Sequence, residues 1–333
     1  MARAPLIVTT LLLTGCAHRL GYPKVQHGAE AAIVSLVQPS SDERRWYVPV
    51  DAGDAGQWVL FVDTGYTYTT CDDDFVAALG VEEKGRSRVY GELGSIRTGK
   101  AVLPPLQIGQ HRVLDLVCQT RDLATTSSIS DPTEVPVAGV LGMDVLRHFR
   151  TRFDAGTGQM ELLPPAFVPS LKGDPHAVSL RREQLGFGLR THMELDLDGE
   201  VTRALVDTGA TDTYIDGQHL GLEPSAVREG VTMRGTGGSG SRKVDVLHYD
   251  VERVKLGAAA VGPITLTDRK KRWGSPGLLG QDVLGLLRSD FDWMAGRALF
   301  VPVVPADLPS WASWSVDEQG DVIRVLSPDA SSR

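Results

Sequence analysis

The chain has 333 residues, long enough for two domains of ordinary size, and its 42% hydrophobic and 23% charged residues are typical of a globular protein. Its formal net charge of -8 argues against a nucleic-acid partner, because phosphate binding needs a basic face. The 36 glycines and 19 prolines, with few long apolar runs of helical period, predict an all-β architecture of short strands and turns with few short helices.

Residues 1–15 predict a signal peptide of the lipoprotein type. Arg3 precedes an apolar run from Leu6 to Leu13 that is too short to span a bilayer. The run ends in Leu13-Thr14-Gly15-Cys16, which resembles a bacterial lipobox and implies lipidation of Cys16 as the mature N-terminus. Because Ala17 follows, the resemblance implies a cell-envelope protein held only by this lipid anchor at the periplasmic face of the outer membrane. The alternative is an ordinary cleaved signal with an incidental cysteine.

Two further cysteines, Cys71 and Cys118, remain after Cys16 is set aside. An even pair in an exported chain is compatible with a disulfide, because the compartment is oxidising. The bond would close a loop of 47 residues, for which the chain-entropy model gives about 4 kcal/mol of stabilisation. The alternative is a pair of buried free thiols that pack as small hydrophobes.

An internal duplication organises the chain. Residues 139–162 align without a gap on residues 277–300, at a constant offset of 138 residues. Ten aligned positions are identical: Gly139, Leu141, Gly142, Asp144, Val145, Leu146, Arg150, Phe153, Asp154 and Gly158 match Gly277, Leu279, Gly280, Asp282, Val283, Leu284, Arg288, Phe291, Asp292 and Gly296. The alignment predicts two copies of one structural unit.

Upstream of each copy stands the same tripeptide after an apolar run. Asp63-Thr64-Gly65 follows Val62, and Asp207-Thr208-Gly209 follows Val206, so the two tripeptides lie 144 residues apart. A hairpin precedes each of them, turning at residues 53–56 in the first half and at residues 198–199 in the second. Each half therefore carries the same elements in the same order.

These repeats set the expected domain boundaries. We predict a tether at residues 16–27, a first lobe at 28–165, a linker rich in turn residues at 166–174, and a second lobe at 175–304. Residues 305–333 form a C-terminal extension, in which residues 311–316 and 322–326 predict one additional hairpin.

The repeated tripeptides carry a family resemblance. Residues 204–216, which read A-L-V-D-T-G-A-T-D-T-Y-I-D, resemble the active-site segment of retroviral proteases, and residues 277–280 resemble the strand beside that catalytic loop. Two such loops on one chain resemble the pepsin and retropepsin family of aspartic peptidases. The resemblance implies two retropepsin-like β-barrel lobes related by a pseudo-twofold axis, in a monomer whose lobes form an intramolecular pseudo-dimer.

The resemblance makes Asp63 and Asp207 the catalytic pair. Two carboxylates about 3 Å apart, as known from aspartic proteases, do not both ionise and share one proton. The ionised carboxylate would take a proton from a bridging water while the protonated one donates to the scissile carbonyl of an extended peptide or protein substrate. This chemistry needs no cofactor and no metal. Which aspartate acts as the base stays open, because the titration belongs to the pair.

Four neighbours support the two loops. Gly65 and Gly209 permit a tight turn and a close approach that a Cβ would obstruct. In the family, threonines at the positions of Thr64 and Thr208 bond across the two loops, which would fix the separation of the aspartates.

Two segments resemble flaps that cover a bound substrate. Residues 89–95, with Tyr90 and Gly91, resemble the pepsin flap, and the alternative is a plain surface hairpin. Residues 235–240, with Gly235, Gly237 and Gly238, resemble the glycine-rich retroviral flap. The glycine run also fits the dinucleotide pattern G-x-G-x-x-G, but a strand rather than a helix is predicted to follow it, which disfavours nucleotide binding.

Other functional motifs are weak. Asp72-Asp73-Asp74 lacks the spacing of a calcium loop and predicts a helix start with Asp74 as N-cap. The eight histidines form no H-E-x-x-H pattern and no G-x-S-x-G motif occurs, so neither a zinc peptidase nor a serine hydrolase is supported.

One residue departs from the family pattern. Tyr66 follows the first D-T-G, where the family usually has alanine or serine, whereas Ala210 follows the second. Two hypotheses therefore stand. The chain is an aspartic endopeptidase, or it is a catalytically silent lipoprotein that binds a peptide or another ligand in the same cleft.

Overall fold

The computed structural model describes residues 23–29, 31–35, 46–91, 94–123, 136–234, 241–269, 277–303, 313–316 and 322–326. These residues form mostly strands with three short helices, so the predicted all-β architecture is confirmed. None of the helices in these ranges is long and apolar enough to cross a membrane.

The described part of the first lobe contains thirteen strands: β1 Lys24–Gln26, β2 Ala32–Ser35, β3 Tyr47–Asp51, β4 Gln57–Val62, β5 Thr70–Asp72, β6 Arg86–Gly91, β7 Gly94–Val102, β8 Leu106–Ile108, β9 His111–Leu114, β10 Val117–Arg121, β11 Val137–Leu141, β12 Arg150–Asp154 and β13 Gln159–Leu163. Its helices are α1 Asp73–Ala78 and α2 Met143–Leu146. Ten of the strands form one sheet, in the order β1-β9-β8-β3-β4-β11-β5-β10-β7-β6.

Twelve strands lie in the residues of the second lobe that the structure describes: β14 Val178–Ser179, β15 Arg181–Leu185, β16 Gly188–Leu197, β17 Glu200–Val206, β18 Ala226–Arg234, β19 Ser241–Val251, β20 Val254–Leu256, β21 Ala259–Val261, β22 Ile264–Arg269, β23 Leu278–Leu279, β24 Leu287–Asp292 and β25 Arg297–Pro302. The helix α3, Gln281–Leu284, corresponds to α2. The strands form sheets in the orders β21-β20-β16-β17-β23, with β15 added beside β16, and β18-β19-β22. A final hairpin pairs β26, Ser313–Val316, with β27, Val322–Leu326.

A six-stranded antiparallel sheet joins the two lobes. Its order is β14-β25-β24-β12-β13-β2, so three strands come from each half of the chain. The central pair, β12 and β24, consists of duplicated strands and places Arg152 opposite Asp290. The buried guanidinium of Arg150 donates to both carboxylate oxygens of Asp290, at 2.6 and 2.7 Å. Because this ion pair is buried, removing one partner would cost about 3–5 kcal/mol.

The core is continuous across both lobes. One buried cluster contains alternate residues of the two strands that lead into the D-T-G loops. These residues are Leu60 and Val62 in β4 and Ala204 and Val206 in β17. Next to the joining sheet, the rings of Phe291 and Trp293 stack with centroids 4.4 Å apart. The strands that lead into the two D-T-G loops are therefore anchored in one packed interior.

Two local expectations need correction or refinement. Asp72, and not Asp74, caps α1, because the side chain of Asp72 accepts a hydrogen bond from the backbone N–H of Asp74. Residues 24–26, within the predicted tether, form the edge strand β1 of the first-lobe sheet by pairing with β9. Both predicted hairpins before the D-T-G loops are present as β3–β4 and β16–β17.

Candidate active site

The two D-T-G loops occupy equivalent places in their lobes. β4 ends at Val62, and β17 ends at Val206, so each aspartate directly follows a buried strand. The backbone N–H of Asp63 donates to the carbonyl of Leu141 at 3.1 Å, and that of Asp207 donates to the carbonyl of Leu279 at 3.1 Å. The parallel strands β11 and β23 thus fix the start of both loops.

Hydrogen bonds between Thr64 and Thr208 lock the loops together. The backbone N–H of Thr64 donates to Oγ1 of Thr208 at 3.1 Å, and the reverse bond measures 3.0 Å. Each hydroxyl also donates across the lobes, to the carbonyl of Val206 at 2.9 Å and to that of Val62 at 3.0 Å. All four bonds are buried, so the floor of the site is fixed by donors and acceptors that have no access to water.

Each aspartate is oriented by its own loop. Oδ1 of Asp63 accepts from the backbone N–H groups of Gly65 and Tyr66, at 2.8 and 3.1 Å. Oδ1 of Asp207 accepts from those of Gly209 and Ala210, at 3.0 and 3.1 Å. The second oxygen of each carboxylate is left to face the other lobe.

The loop glycines show how closely the carboxylates approach. A Cβ placed on Gly65 would lie 2.5–2.7 Å from the carboxylate atoms of Asp207. A Cβ on Gly209 would collide with the carboxylate of Asp63 in the same way. Each carboxylate therefore lies over the glycine of the opposite loop, in space that no other residue type leaves free.

The pair is electrostatically coupled. Burial raises the pKa of Asp63 well above its ordinary value, and the charge of Asp207 and a side-chain hydrogen bond to it raise that pKa further. The N–H bonds from Gly65 and Tyr66 lower it, but less. Asp63 is 3% exposed, whereas Asp207 is partly exposed. The site therefore retains a proton where an isolated aspartate would be ionised.

A second pair of duplicated aspartates, the buried Asp144 and the partly buried Asp282, was not predicted from the sequence as part of the site. Oδ1 of Asp144 accepts from the backbone N–H and the hydroxyl of Thr69, at 2.9 and 2.7 Å. Asp282 accepts the equivalent bonds from Thr213, at 2.8 and 2.5 Å. Burial raises the pKa of Asp144 to about 6. These bonds hold the segment that follows each D-T-G loop.

The signal for this second pair was present in the chain. Asp144 and Asp282 are among the ten identical positions of the duplication. A repeated acidic residue that follows a buried strand is a candidate for a shared structural hydrogen bond.

Tyr66 lies in the wall of the first lobe. It packs against a buried cluster of Tyr47, Val59, Phe61, Val137 and Val140. Its side chain also hydrogen-bonds to that of Arg121, a 4% exposed residue whose pKa is lowered by burial. The tyrosine that replaces the usual small residue is thus held on the first-lobe side of Asp63.

The first flap candidate is a hairpin. β6 and β7 pair with Tyr90 opposite Ser95 and Gly91 opposite Gly94. Gly235, Gly237 and Gly238 lie outside the described residues, as does Cys16. The strand predicted after the glycine run is present as β19, which pairs with β18. A dinucleotide fingerprint requires a helix at this place, so the glycine run does not fit one.

Two further features of the sequence concern the cysteine pair and metal binding. Cys71 and Cys118 form a disulfide between the neighbouring strands β5 and β10, with Cα atoms 5.8 Å apart. Within the described ranges, no three His, Cys, Asp or Glu side chains come together in a way that could hold a metal ion.

Comparison with known proteins agrees with the geometry. A family model described as aspartyl protease matches residues 48–145 and 193–283, once in each lobe and over more than half of the chain. The chain belongs to this aspartyl protease family, and its fold is a two-lobed, retropepsin-like one.

Among solved structures, the chain is similar to a retropepsin-like aspartic protease from Rickettsia conorii. That similarity amounts to 18% identity and a TM-score of 0.26, over 33% of this chain and 78% of the other. A match at this TM-score adds nothing to the assignment, which follows from the family match. A search of the curated proteins finds no match.

Proposed function

We propose that the chain is an aspartic endopeptidase that hydrolyses peptide bonds in extended polypeptide segments. One observation carries the proposal: Asp63 and Asp207 are hydrogen-bonded to each other, and each carboxylate lies over the glycine of the opposite loop. Two acidic groups in this arrangement hold one proton between them, which is the state that water activation requires.

The mechanism uses one ionised and one protonated carboxylate. The ionised member removes a proton from a bridging water, and the protonated member donates to the scissile carbonyl as the tetrahedral intermediate forms. The Thr64–Thr208 bonds hold both groups in place before the substrate arrives, so little reorganisation is needed during the reaction.

The substrate is an extended peptide. The β6–β7 hairpin and the β18–β19 hairpin are the elements that would cover it, with backbone hydrogen bonds supplying affinity and side-chain pockets supplying preference for apolar residues. The first-lobe wall beside Asp63 is apolar, since Tyr66 packs against a buried cluster that includes Phe61 and Val140.

The alternative is a catalytically silent lipoprotein that binds a peptide or another ligand in the same cleft. Tyr66 favours it, because a bulky side chain stands where the family usually has a small one, adjacent to Asp63. A ring that fills the first-lobe wall reduces the room for substrate beside the carboxylates.

The cellular location is part of the proposal. The lipobox-like segment that ends at Cys16 supports a protein tethered by acyl chains to the periplasmic face of the outer membrane, working as a monomer on envelope proteins. Radiolabelled palmitate incorporation in the parent and its loss in Cys16→Ala would test the anchor.

Cleavage of an unstructured protein tests the main proposal. The parent should release fragments, while Asp63→Asn and Asp207→Asn should each lose activity by about a hundredfold or more, since either change removes a proton carrier. Asp54→Asn, an exposed aspartate in the β3–β4 turn, is the matched control and should retain full activity. Equal cleavage by the parent and the two active-site variants would exclude the endopeptidase and leave the binding protein.

A further inference from the structure

One basic residue of the second lobe lies on the strand that pairs with β17, the strand that leads into Asp207. Arg190 is in β16, which pairs with β17 so that His192 lies opposite Leu205. Continuing this antiparallel register beyond the end of β17 brings Arg190 level with Asp207.

The side-chain alternation puts Arg190 on the catalytic face. Ala204 and Val206 of β17 point into the core, so Leu205 and the following Asp207 point to the other face. In β16, Leu189 and Met193 belong to the same core, which places Arg190 on the opposite face with His192. Arg190 and Asp207 therefore share one face of the sheet.

A second contact brings the same strand to the first catalytic loop. A Cβ on Gly188, two residues before Arg190, would collide with the carbonyl of Thr67, which follows Asp63 by four residues. The hydroxyl of Tyr68 donates to the carbonyl of Leu185 in the same hairpin, at 2.7 Å. The start of β16, two residues before Arg190, thus lies against the segment that follows the first D-T-G loop.

The guanidinium of Arg190 has unused donors. Its Nε is buried and has no hydrogen-bond partner among the residues that the structure describes. No carboxylate of that part of the chain lies within 4.0 Å to form an ion pair with it, although the exposed Glu183 is its cross-strand neighbour. A half-buried arginine in this state is suited to a ligand carboxylate, which accepts two parallel N–H bonds.

The charges around Arg190 favour an anion only modestly. Arg181 and Arg203 also lie near His192. Glu183 lies across from Arg190. Glu194 lies across from Arg203. Burial lowers the pKa of His192, and the charge of Arg203 lowers it further, so this imidazole is neutral at pH 7. The positive charge at neutral pH comes from the arginines.

One cross-strand row beside the D-T-G loop differs in residue type between the lobes. The cross-strand row of His192, Leu205 and Leu278 corresponds through the duplication to Tyr47, Phe61 and Val140. Because Tyr47, Phe61 and Val140 are fully buried, this difference lies in the packed wall and not in a surface open to a substrate.

We propose that Arg190 is a specificity residue that binds an acidic side chain of the substrate on the second-lobe side of the catalytic pair. The inference rests on the proposed peptide-binding function and extends it to a substrate class.

Peptides built around a central statine test the inference, because the statine hydroxyl anchors the register between Asp63 and Asp207. All peptides are C-terminal amides, so the only carboxylate is a glutamate placed at one residue flanking the statine. Calorimetric affinities at pH 7 are compared with those of the matched glutamine peptides. At the flanking position that reaches Arg190, the glutamate peptide should bind about tenfold or more tightly than the glutamine peptide. The lysine peptide should bind more weakly than both.

Variants assign the preference to Arg190. The glutamate preference should vanish in Arg190→Gln and survive in part in Arg190→Lys. Arg112→Gln removes an exposed arginine of the first lobe and should leave the preference unchanged. The lysine peptide tests the positive charge of the subsite in the parent protein itself, because like charges should weaken its binding.

Three outcomes would contradict the inference. If glutamate and glutamine peptides bind the parent equally, the inference fails while the peptide-binding cleft stands. A preference that persists in Arg190→Gln overturns the role of this residue. If no statine peptide binds, both the inference and the proposed function fail.

Discussion

Thr64 and Thr208 each accept a hydrogen bond from the backbone N–H of the other, at 3.1 and 3.0 Å, across the boundary between the two lobes. The two residues occupy the same place in duplicated loops. Their exchange of bonds therefore makes the position of one aspartate depend on the other lobe.

Replacing Thr208 with valine should destabilise the protein. The change leaves the N–H of Thr64 and the carbonyl of Val62 buried without their partner, at about 1–3 kcal/mol each. Urea unfolding followed by circular dichroism should give a loss of about 2–6 kcal/mol. Thr157→Val, in an exposed turn, should change the free energy of unfolding by less than about 0.5 kcal/mol. Equal stabilities of the two variants would show that the cross-loop bonds contribute nothing.

Gly65→Ala should abolish activity. The added methyl group would lie 2.5–2.7 Å from the carboxylate of Asp207, so one of the two must move. We expect kcat to fall by about a hundredfold or more, since small displacements of catalytic groups cost about that much. Gly173→Ala meets no atom within 4 Å and is the matched control. Full activity of Gly65→Ala in a peptide-cleavage assay would contradict the described closeness of the loops.

Asp144 should make the protein less stable as the pH rises. Its folded-state pKa of about 6 exceeds the ordinary value of 3.8, so between these values the folded state binds more protons than the unfolded state. The stabilising contribution is fully present below pH 3.8 and is lost as the pH rises through about 6. The change amounts to about 3 kcal/mol. Denaturant unfolding between pH 3.5 and 7 should show this slope in the parent.

Asp144→Asn should remove that part of the slope. The asparagine carbonyl can still accept the bonds from Thr69, while the group no longer titrates. Asp54→Asn removes an exposed charge and should leave the slope unchanged. A variant that keeps the full pH dependence would assign the slope to other groups.

The disulfide should contribute most of its stabilisation through the unfolded chain. The Cys71–Cys118 bond closes a loop of 47 residues, and the chain-entropy model gives about 4 kcal/mol for it. Cys71→Ser with Cys118→Ser should lower the free energy of unfolding by about that amount in urea. The same loss should appear when the parent is unfolded under reducing conditions, whereas an unchanged midpoint would mean that the two sulfurs are not bonded in solution.

The duplication made the main architecture predictable. Short-range patterns define the hairpins before Asp63 and Asp207, and the repeated sequence reveals that both loops have the same surroundings. Two copies of one loop in one chain then imply a shared site. These features depend on local periodicity and on self-comparison, which a single sequence contains.

Other features depend on distant partners. The six-stranded sheet between the lobes is set by the pairing of β12 with β24, which lie far apart in the chain. The placement of Arg190 level with Asp207 follows from the register of β16 and β17, which the sequence alone does not show. The strand β1 has too few residues to show the alternation of apolar and polar residues typical of a strand. Its extended conformation is set by its pairing with β9.

A carboxyl titration tests the shared proton most directly. Selective ¹³C labelling of aspartate, with signals assigned by the Asp63→Asn and Asp207→Asn variants, follows each side chain by NMR as the pH changes. Asp63 should titrate well above 3.8 in the parent, and its pKa should fall in Asp207→Asn, because the neighbouring charge is removed. An Asp63 signal that titrates near 3.8 and ignores the loss of Asp207 would contradict the account.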